Sequence, residues 1–277
     1  MYESLPLVRG QTLEIRPGRH LDVAYRRGDV QADTVVFFAH GGGGNKDQWR
    51  EQWRDLAARG YSLVAWDLLG HGASRTPRAD SAYAWSELVA DQVAVLQRYA
   101  GRRNVVVAHS FGTGLSLSAL AARARDGWQA DAALLLGTQA ERPLPSGKLL
   151  RLPAWALELL RPILSSGFRE RAWHASADPA LVAYEEKLTR RNRLHVFKAL
   201  IGQAAWPGAD DLAQLRLPVG ILAGDSDGLT PAERGRVLHE RLPGSTFEVL
   251  AECGHQLMLE RPARVNQHLQ QLLSALP

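Results

Sequence analysis

Apolar and polar positions change rhythm along this chain, and each rhythm predicts a different element. Residues 11–29 (QTLEIRPGRHLDVAYRRGD) alternate around Pro17 and Gly18, the pattern of an antiparallel hairpin at a sheet edge. From residue 34 the alternation gives way to unbroken apolar runs, as expected of strands buried on both faces. These runs are TVVFFAH (34–40), YSLVAWD (61–67), RNVVVAH (103–109), DAALLLG (131–137), PVGILAG (218–224) and TFEVLAE (246–252). Helical periodicity falls between or after them, at 45–60, 83–101, 111–127, 231–244 and 261–276. Such alternation predicts right-handed crossovers and a mostly parallel α/β sheet with helices on both faces.

The interval 139–215 breaks this rhythm. Its segments PLPSGKLLRLPAWALELLRPILSSGF and DPALVAYEEKLTRRNRLHVFKALIGQAAWPG read as helices punctuated by Pro and Gly, with no core strand. The expected organisation is therefore a core of 1–138 and 216–277 with a helical cap inserted at 139–215. Trp155, Trp173 and Trp206 of the insertion divide between core and pocket wall. The sequence shows no internal repeat and no low-complexity stretch.

Composition narrows the class. The 277 residues suit one large domain with an insertion, and 45% hydrophobic content is ordinary for a globular chain. No apolar run approaches the roughly 18 residues needed to span a bilayer, so no stable membrane insertion is expected. MYESLPLVRG has neither a basic nor an apolar leader region, and the lone Cys253 precludes an internal disulfide. A cytoplasmic protein is the expectation. The formal charge of +4 comes from scattered arginines, with Lys46, Lys148, Lys187 and Lys198 the only lysines. Without a basic helix or an aromatic-interleaved patch, nucleic acid is not an expected partner. The densest basic stretch, LTRRNRLH, reads as a solvated helix face; its alternative is a rim that attracts an anionic substrate or a membrane surface.

Candidate chemistry begins at AHSFG (108–112), where an apolar strand meets a helix start. This is a nucleophile-elbow pattern, with Ala108 where glycine is usual. Small flanking residues let strand and helix approach, and the turn exposes Ser110 beside free helix N-terminal amides. The competing reading is Ser110 as a simple helix N-cap. A serine nucleophile needs a base and an orienting carboxylate. Asp225 and Asp227 follow the strand at 218–224, and His255 follows the strand at 246–252. All lie at carboxyl ends of strands, hence on one edge of the sheet. Either aspartate can instead cap the following helix, and Glu141 is the next carboxylate in line. HGGGG (40–44) follows the first buried strand, where a second oxyanion donor belongs. Phe111 N–H is the first donor and Gly42 N–H the second, with Gly43 as the alternative. Gly41, Gly43, His109 and Trp206 are further pocket candidates. His40 and His71 read as loop-fixing residues and Cys253 as a packed one. Neither phosphate-loop pattern nor a hydrolytic metal spacing is present, so no metal and no cofactor are expected.

HGGGG, DLLGHGAS (67–74), AHSFG, GDSDGLTP (224–231) and CGHQLMLERP (253–262) together resemble the α/β-hydrolase fold, in its small-lidded esterase-like branch, over nearly the whole chain. The resemblance implies that the acid is the later carboxylate, Asp227, and that 139–215 is the family's cap. It implies a Ser110–His255–Asp227 serine hydrolase cleaving an ester or thioester of a partly apolar small molecule through an acyl-enzyme. Carbon–carbon bond hydrolysis and cofactor-free perhydrolysis use the same constellation, and a non-catalytic ligand receptor is the alternative from another class. The fold alone does not name the substrate, and the sequence assigns no oligomeric state.

Overall fold

The hairpin and the six apolar runs all become strands of a single eight-stranded sheet. The computed structural model describes residues 7–143 and 152–276. Residues 1–6 of the leader reading and residues 144–151 of the predicted insertion lie outside the described residues. The strands are β1 (Gln11–Arg16), β2 (Arg19–Arg26), β3 (Gln31–Ala39), β4 (Tyr61–Trp66), β5 (Arg103–His109), β6 (Ala132–Leu136), β7 (Val219–Gly224) and β8 (Thr246–Leu250). Their order is β1-β2-β4-β3-β5-β6-β7-β8. The β1–β2 and β2–β4 pairs are antiparallel and the rest are parallel. Gly18 closes the hairpin at φ +74°, a left-handed conformation that glycine adopts without steric cost.

The five core helices are α1 (Arg50–Ala58), α2 (Trp85–Tyr99), α3 (Phe111–Arg125), α9 (Ala232–Arg241) and α11 (Pro262–Ser274). Side chains alternate between the two faces of the sheet. Val35, Phe37 and Ala39 of β3 join the core under α2, α3 and α9, whereas Val36 and Phe38 join the core under α1 and α11. The predicted 45–60 helix is instead a 3₁₀ turn at Lys46–Trp49 that leads into α1. A short helix, α10 (Leu257–Glu260), precedes α11 and was not expected.

Between β6 and β7 the described residues form five helices and no strand: α4 (Ala154–Leu159), α5 (Arg161–Ala172), α6 (Pro179–Thr189), α7 (Leu194–Gln203) and α8 (Ala209–Leu212). The basic stretch LTRRNRLH is not a helix face. Arg190, Arg191 and Arg193 are exposed on the turn from α6 to α7, and Asn192 between them is buried. A buried ion pair, Arg50 Nη1 to Glu185 Oε1 at 2.7 Å, ties α1 to α6.

The chain leaves β3 toward β4 and returns past β3 to β5. The carboxyl ends of β3 and β5 therefore flank the point where strand order reverses, the crevice in which open α/β sheets bind ligands.

Candidate active site

Ser110 leaves β5 at φ 52°, ψ −122°, a left-handed conformation that is strained for a residue with a side chain. Its N–H still donates to Leu136 O at 2.9 Å, so the turn is anchored to the sheet. Its carbonyl accepts from Thr113 Oγ1 at 2.6 Å, and Thr113 is in turn bonded to Thr138 Oγ1 at 2.8 Å. Although Ser110 stands at the N-cap position of α3, its side chain makes no capping hydrogen bond. The hydroxyl is thus not committed to the helix. Gly112 is required here, because a Cβ would lie 2.5 Å from His40 O. Ala108 is fully buried in the core, where its single methyl is accommodated.

The glycine loop after β3 lies against this turn. A Cβ on Gly41 would come within 2.9 Å of Ser110 Cβ, and one on Gly42 within 3.5 Å of Phe111 Cβ. Gly44 N–H donates to Gly41 O at 3.1 Å, and Gly43, at φ +81°, donates its N–H to His71 Nε2 at 3.0 Å. The Gly43 and Gly44 amides are therefore occupied. Phe111 N–H is at the first position of α3, where an amide has no intrahelical acceptor.

His40 and His71 shape the surrounding loops. His40 Nδ1 donates to Gly41 O at 2.8 Å and its Nε2 accepts from Leu68 N–H at 2.9 Å. Burial holds both imidazoles below their ordinary pKa, so both are neutral. Lys46 lies beneath, within 2.7 Å of Asp22 and 3.0 Å of Asp67. Burial opposes its charge, but the two carboxylates outweigh burial and raise its pKa. Lys46 is thus a charged strut under the loop at 67–74.

At the other side of the crevice, Asp227 Oδ2 accepts from His255 Nδ1 at 2.7 Å and from Thr230 Oγ1 at 2.8 Å. Asp227 Oδ1 accepts the Leu229 and Thr230 amides, each at 2.8 Å. Burial works to raise the Asp227 carboxyl, but His255 and these hydrogen bonds outweigh it and hold it below its ordinary value. With Nδ1–H directed at the carboxylate, the lone pair of His255 belongs to Nε2. Gly137 makes room for the ring: a Cβ there would stand 3.1 Å from His255 Nδ1. Asp225 is engaged elsewhere, accepting the Glu252 and Cys253 amides at 2.9 and 3.0 Å. Glu141 is exposed and paired with Arg241 at 3.1 Å.

His109 joins the two halves. Its ring lies 4.6 Å from that of His255, and its Nε2–H donates to the His255 carbonyl at 2.8 Å. Burial and then the charge of His255 push its pKa down to about 3, so it is a neutral packing partner. Cys253 is buried, and burial raises its thiol pKa. Trp206 packs one turn beyond Ser110, with its ring 5.7 Å from Phe111 and its Nε1–H donating to Gln139 O at 2.9 Å.

Several site residues escape sequence reasoning. Asn192 Nδ2 donates to Gly43 O at 2.6 Å and Gly44 O at 2.9 Å, while its Oδ1 accepts Gly72 N–H at 3.0 Å. Phe197 of α7 faces Gly42, 3.8 Å from where a Cβ would be. Glu260 accepts the amides on both sides of His255, Gly254 at 3.1 Å and Gln256 at 3.0 Å. The spacing of Glu260 in GHQLMLERP was the one available signal; Asn192 and Phe197 carried none. The end of α5 also grips this side: Ala172 O accepts His255 N–H at 2.8 Å, and Arg171 O accepts Gly228 N–H at 2.9 Å.

Residues 36–268 match the model of the alpha/beta hydrolase family, and the chain belongs to that family. It is 31% identical over 247 residues to Protein ABHD8 of Homo sapiens, covering 88% of this chain and 56% of that protein. The chain thus spans a little over half the length of the curated relatives it matches first. Among solved structures, the esterase EaEST from Exiguobacterium antarcticum superposes with a TM-score of 0.82 at 21% identity, covering 96% of this chain and 100% of that one. The enol-lactonase from Burkholderia xenovorans LB400 gives 0.81 at 19% identity, covering 95% and 100%. No helix among the described residues is long and apolar enough to cross a membrane.

Proposed function

We propose that this protein is a serine hydrolase that cleaves an ester or thioester of a partly apolar small molecule. The observation that carries the reading is a strained Ser110 with an uncommitted hydroxyl on the same sheet edge as a buried His255–Asp227 pair. In this reading Ser110 Oγ attacks the substrate carbonyl and passes its proton to His255 Nε2. Asp227 holds the resulting imidazolium. The Phe111 and Gly42 amides stabilise the oxyanion; Gly42 is preferred to Gly43 because the Gly43 amide already serves His71. The tetrahedral adduct collapses, the leaving group takes the proton from His255, and water then releases the acyl group by the same route.

Phe197 over Gly42, with Trp206 beside Phe111, supports an apolar contribution to substrate binding by a cap formed from the helices of 139–215. The esterase and the enol-lactonase named above carry activities at ester carbonyls, which supports the bond type. A cytoplasmic location fits a single reduced, buried Cys253.

A fluorophosphonate probe tests the nucleophile without knowledge of the substrate. Wild type is expected to label, Ser110→Ala is not, and the variant is expected to lose about 10³–10⁶ in turnover of a p-nitrophenyl ester. Labelling that persists in Ser110→Ala and maps to Ser74 or Ser226 overturns the assignment. A folded wild type that neither labels nor turns over any ester favours the receptor reading.

A further inference from the structure

Four of the eight large hydrophobic side chains most exposed among the described residues fall within 155–168: Trp155 at 69%, Leu159 at 74%, Ile163 at 71% and Phe168 at 42%. The other four are scattered along the chain. Trp155, Leu159 and Ile163 recur every fourth residue. Because α4 runs into α5 with only Leu160 between them, they make one apolar strip. A strip of this kind on a protein surface marks a contact site.

Its surroundings are basic. The α6–α7 turn is fastened to the α4–α5 junction: Arg161 donates to Asn192 O at 2.9 Å, and Leu194 N–H donates to Glu158 Oε1 at 3.0 Å. This holds the 190–193 turn, with Arg190, Arg191 and Arg193 exposed, against the helix pair that carries the strip. Arg190 and Arg191 have no ion pair among the described residues, and Glu158 is already paired with Arg161 at 2.6 Å.

We propose that α4, α5 and the 190–193 turn form a docking face for an anionic lipid membrane surface. Apolar side chains that include a tryptophan, with exposed arginines on the turn fastened to the same helix pair, match the chemistry of a bilayer interface. The first enter the headgroup–acyl boundary and the second meet lipid phosphates. A second copy of the chain suits the face less well, since a twofold contact would bring the same arginines together. The face is joined to the crevice at two points. Asn192 holds the glycine loop, and Arg171 and Ala172 at the end of α5 hold the loops of Asp227 and His255. Resting on the hydrolase reading, the substrate class is then a membrane-resident ester with an acyl chain.

Vesicle flotation tests the docking independently of turnover. The full chain is expected to float with phosphatidylcholine–phosphatidylglycerol vesicles, far less with phosphatidylcholine alone, and less as salt is raised. Trp155→Glu/Ile163→Glu and Arg190→Glu/Arg191→Glu are each expected to lower partitioning at least about tenfold, since each basic residue near an anionic surface contributes roughly fivefold. Both variants are expected to keep wild-type turnover of a soluble p-nitrophenyl ester and to lose turnover of a long-chain ester embedded in the vesicles. Absence of flotation on anionic vesicles overturns the proposal. So does a dimer in sedimentation that Trp155→Glu/Ile163→Glu dissolves, which assigns the strip to a second copy. If flotation occurs but Ser110→Ala hydrolyses as well as wild type, the docking stands and the reading of Ser110 as the nucleophile falls.

Discussion

At the scale of single residues, two aspartates two positions apart have separate duties. Asp227 has four hydrogen bonds, one of them to His255, whereas Asp225 ties the turn after β8 to the turn after β7. An amide at 227 retains shape but presents the wrong partner to His255 Nδ1. Asp227→Asn is therefore expected to lower kcat on an activated ester by about 10³–10⁴. Asp225→Asn should leave kcat within about tenfold and cost about 1–3 kcal/mol of stability, through weakened bonds to two amides. Steady-state kinetics beside circular dichroism separate the two effects; a crippled Asp225→Asn with a near-normal Asp227→Asn reverses the assignment. The sequence alone left both aspartates open, and resemblance favoured the second. Which amides each carboxylate satisfies depends on where β8 ends, and that is a tertiary fact. Asn192 was hidden for a related reason. It lies among arginines, and only folding brings Gly43, Gly44 and Gly72 to its two polar atoms.

Between elements, the site depends on close approach, and glycine marks where. Gly114 lies one turn into α3, and a Cβ there would stand 2.4 Å from the Trp206 ring. Trp206 packs in turn against Trp85, ring centres 5.2 Å apart and tilted by 35°, so it has little freedom to yield. Gly114→Ala is expected to destabilise by about 1–3 kcal/mol through overpacking. With Trp206→Leu already in place, the same change is expected to become neutral or stabilising, because alanine is preferred to glycine in a helix by roughly 1 kcal/mol. Urea unfolding of the four proteins gives the coupling directly. Equal costs in both backgrounds would mean that the ring does not set the requirement. In the sequence, FGTG showed only that small residues follow Ser110. The strands and core helices were legible because β-branched runs and 3.6-residue periodicity are local signals. The 3₁₀ start before α1 and the short α10 were not, since Asn45 capping Asp47 N–H and Glu260 gathering amides are features of geometry rather than of period.

For the whole molecule, the crevice is built on neutral histidines, and this gives its stability a pH dependence. The alternation of strand and helix made the parallel sheet readable in the sequence, and the motifs at successive strand ends marked the edge that carries the candidate site. Nothing in that pattern disclosed that His40, His71 and His109 are sealed from water. Burial lowers the pKa of all three below 6.5, that of His109 to about 3. In the unfolded chain each takes up a proton near 6.5, and in the folded chain it does not until the pH is lower. Their contribution to stability is thus fully present above 6.5 and is lost as pH falls from there toward the folded values. The depressed Asp227 carboxyl acts in the same direction, but only below 3.8. Glu185, whose pKa burial raises above 4.5, acts in the opposite direction and offsets part of the loss in acid. Each withheld proton amounts to about 1.4 kcal/mol per pH unit. The urea midpoint is therefore expected to fall between about pH 7.5 and pH 5.5, more steeply at the lower end of that range. His109→Gln keeps a donor for the His255 carbonyl and cannot titrate. It is expected to be less stable than wild type near neutrality, yet to lose stability on acidification more slowly, by about 1.4 kcal/mol per pH unit. Parallel stability–pH curves for the two proteins would show that the buried imidazole of His109 is not among the groups withholding a proton.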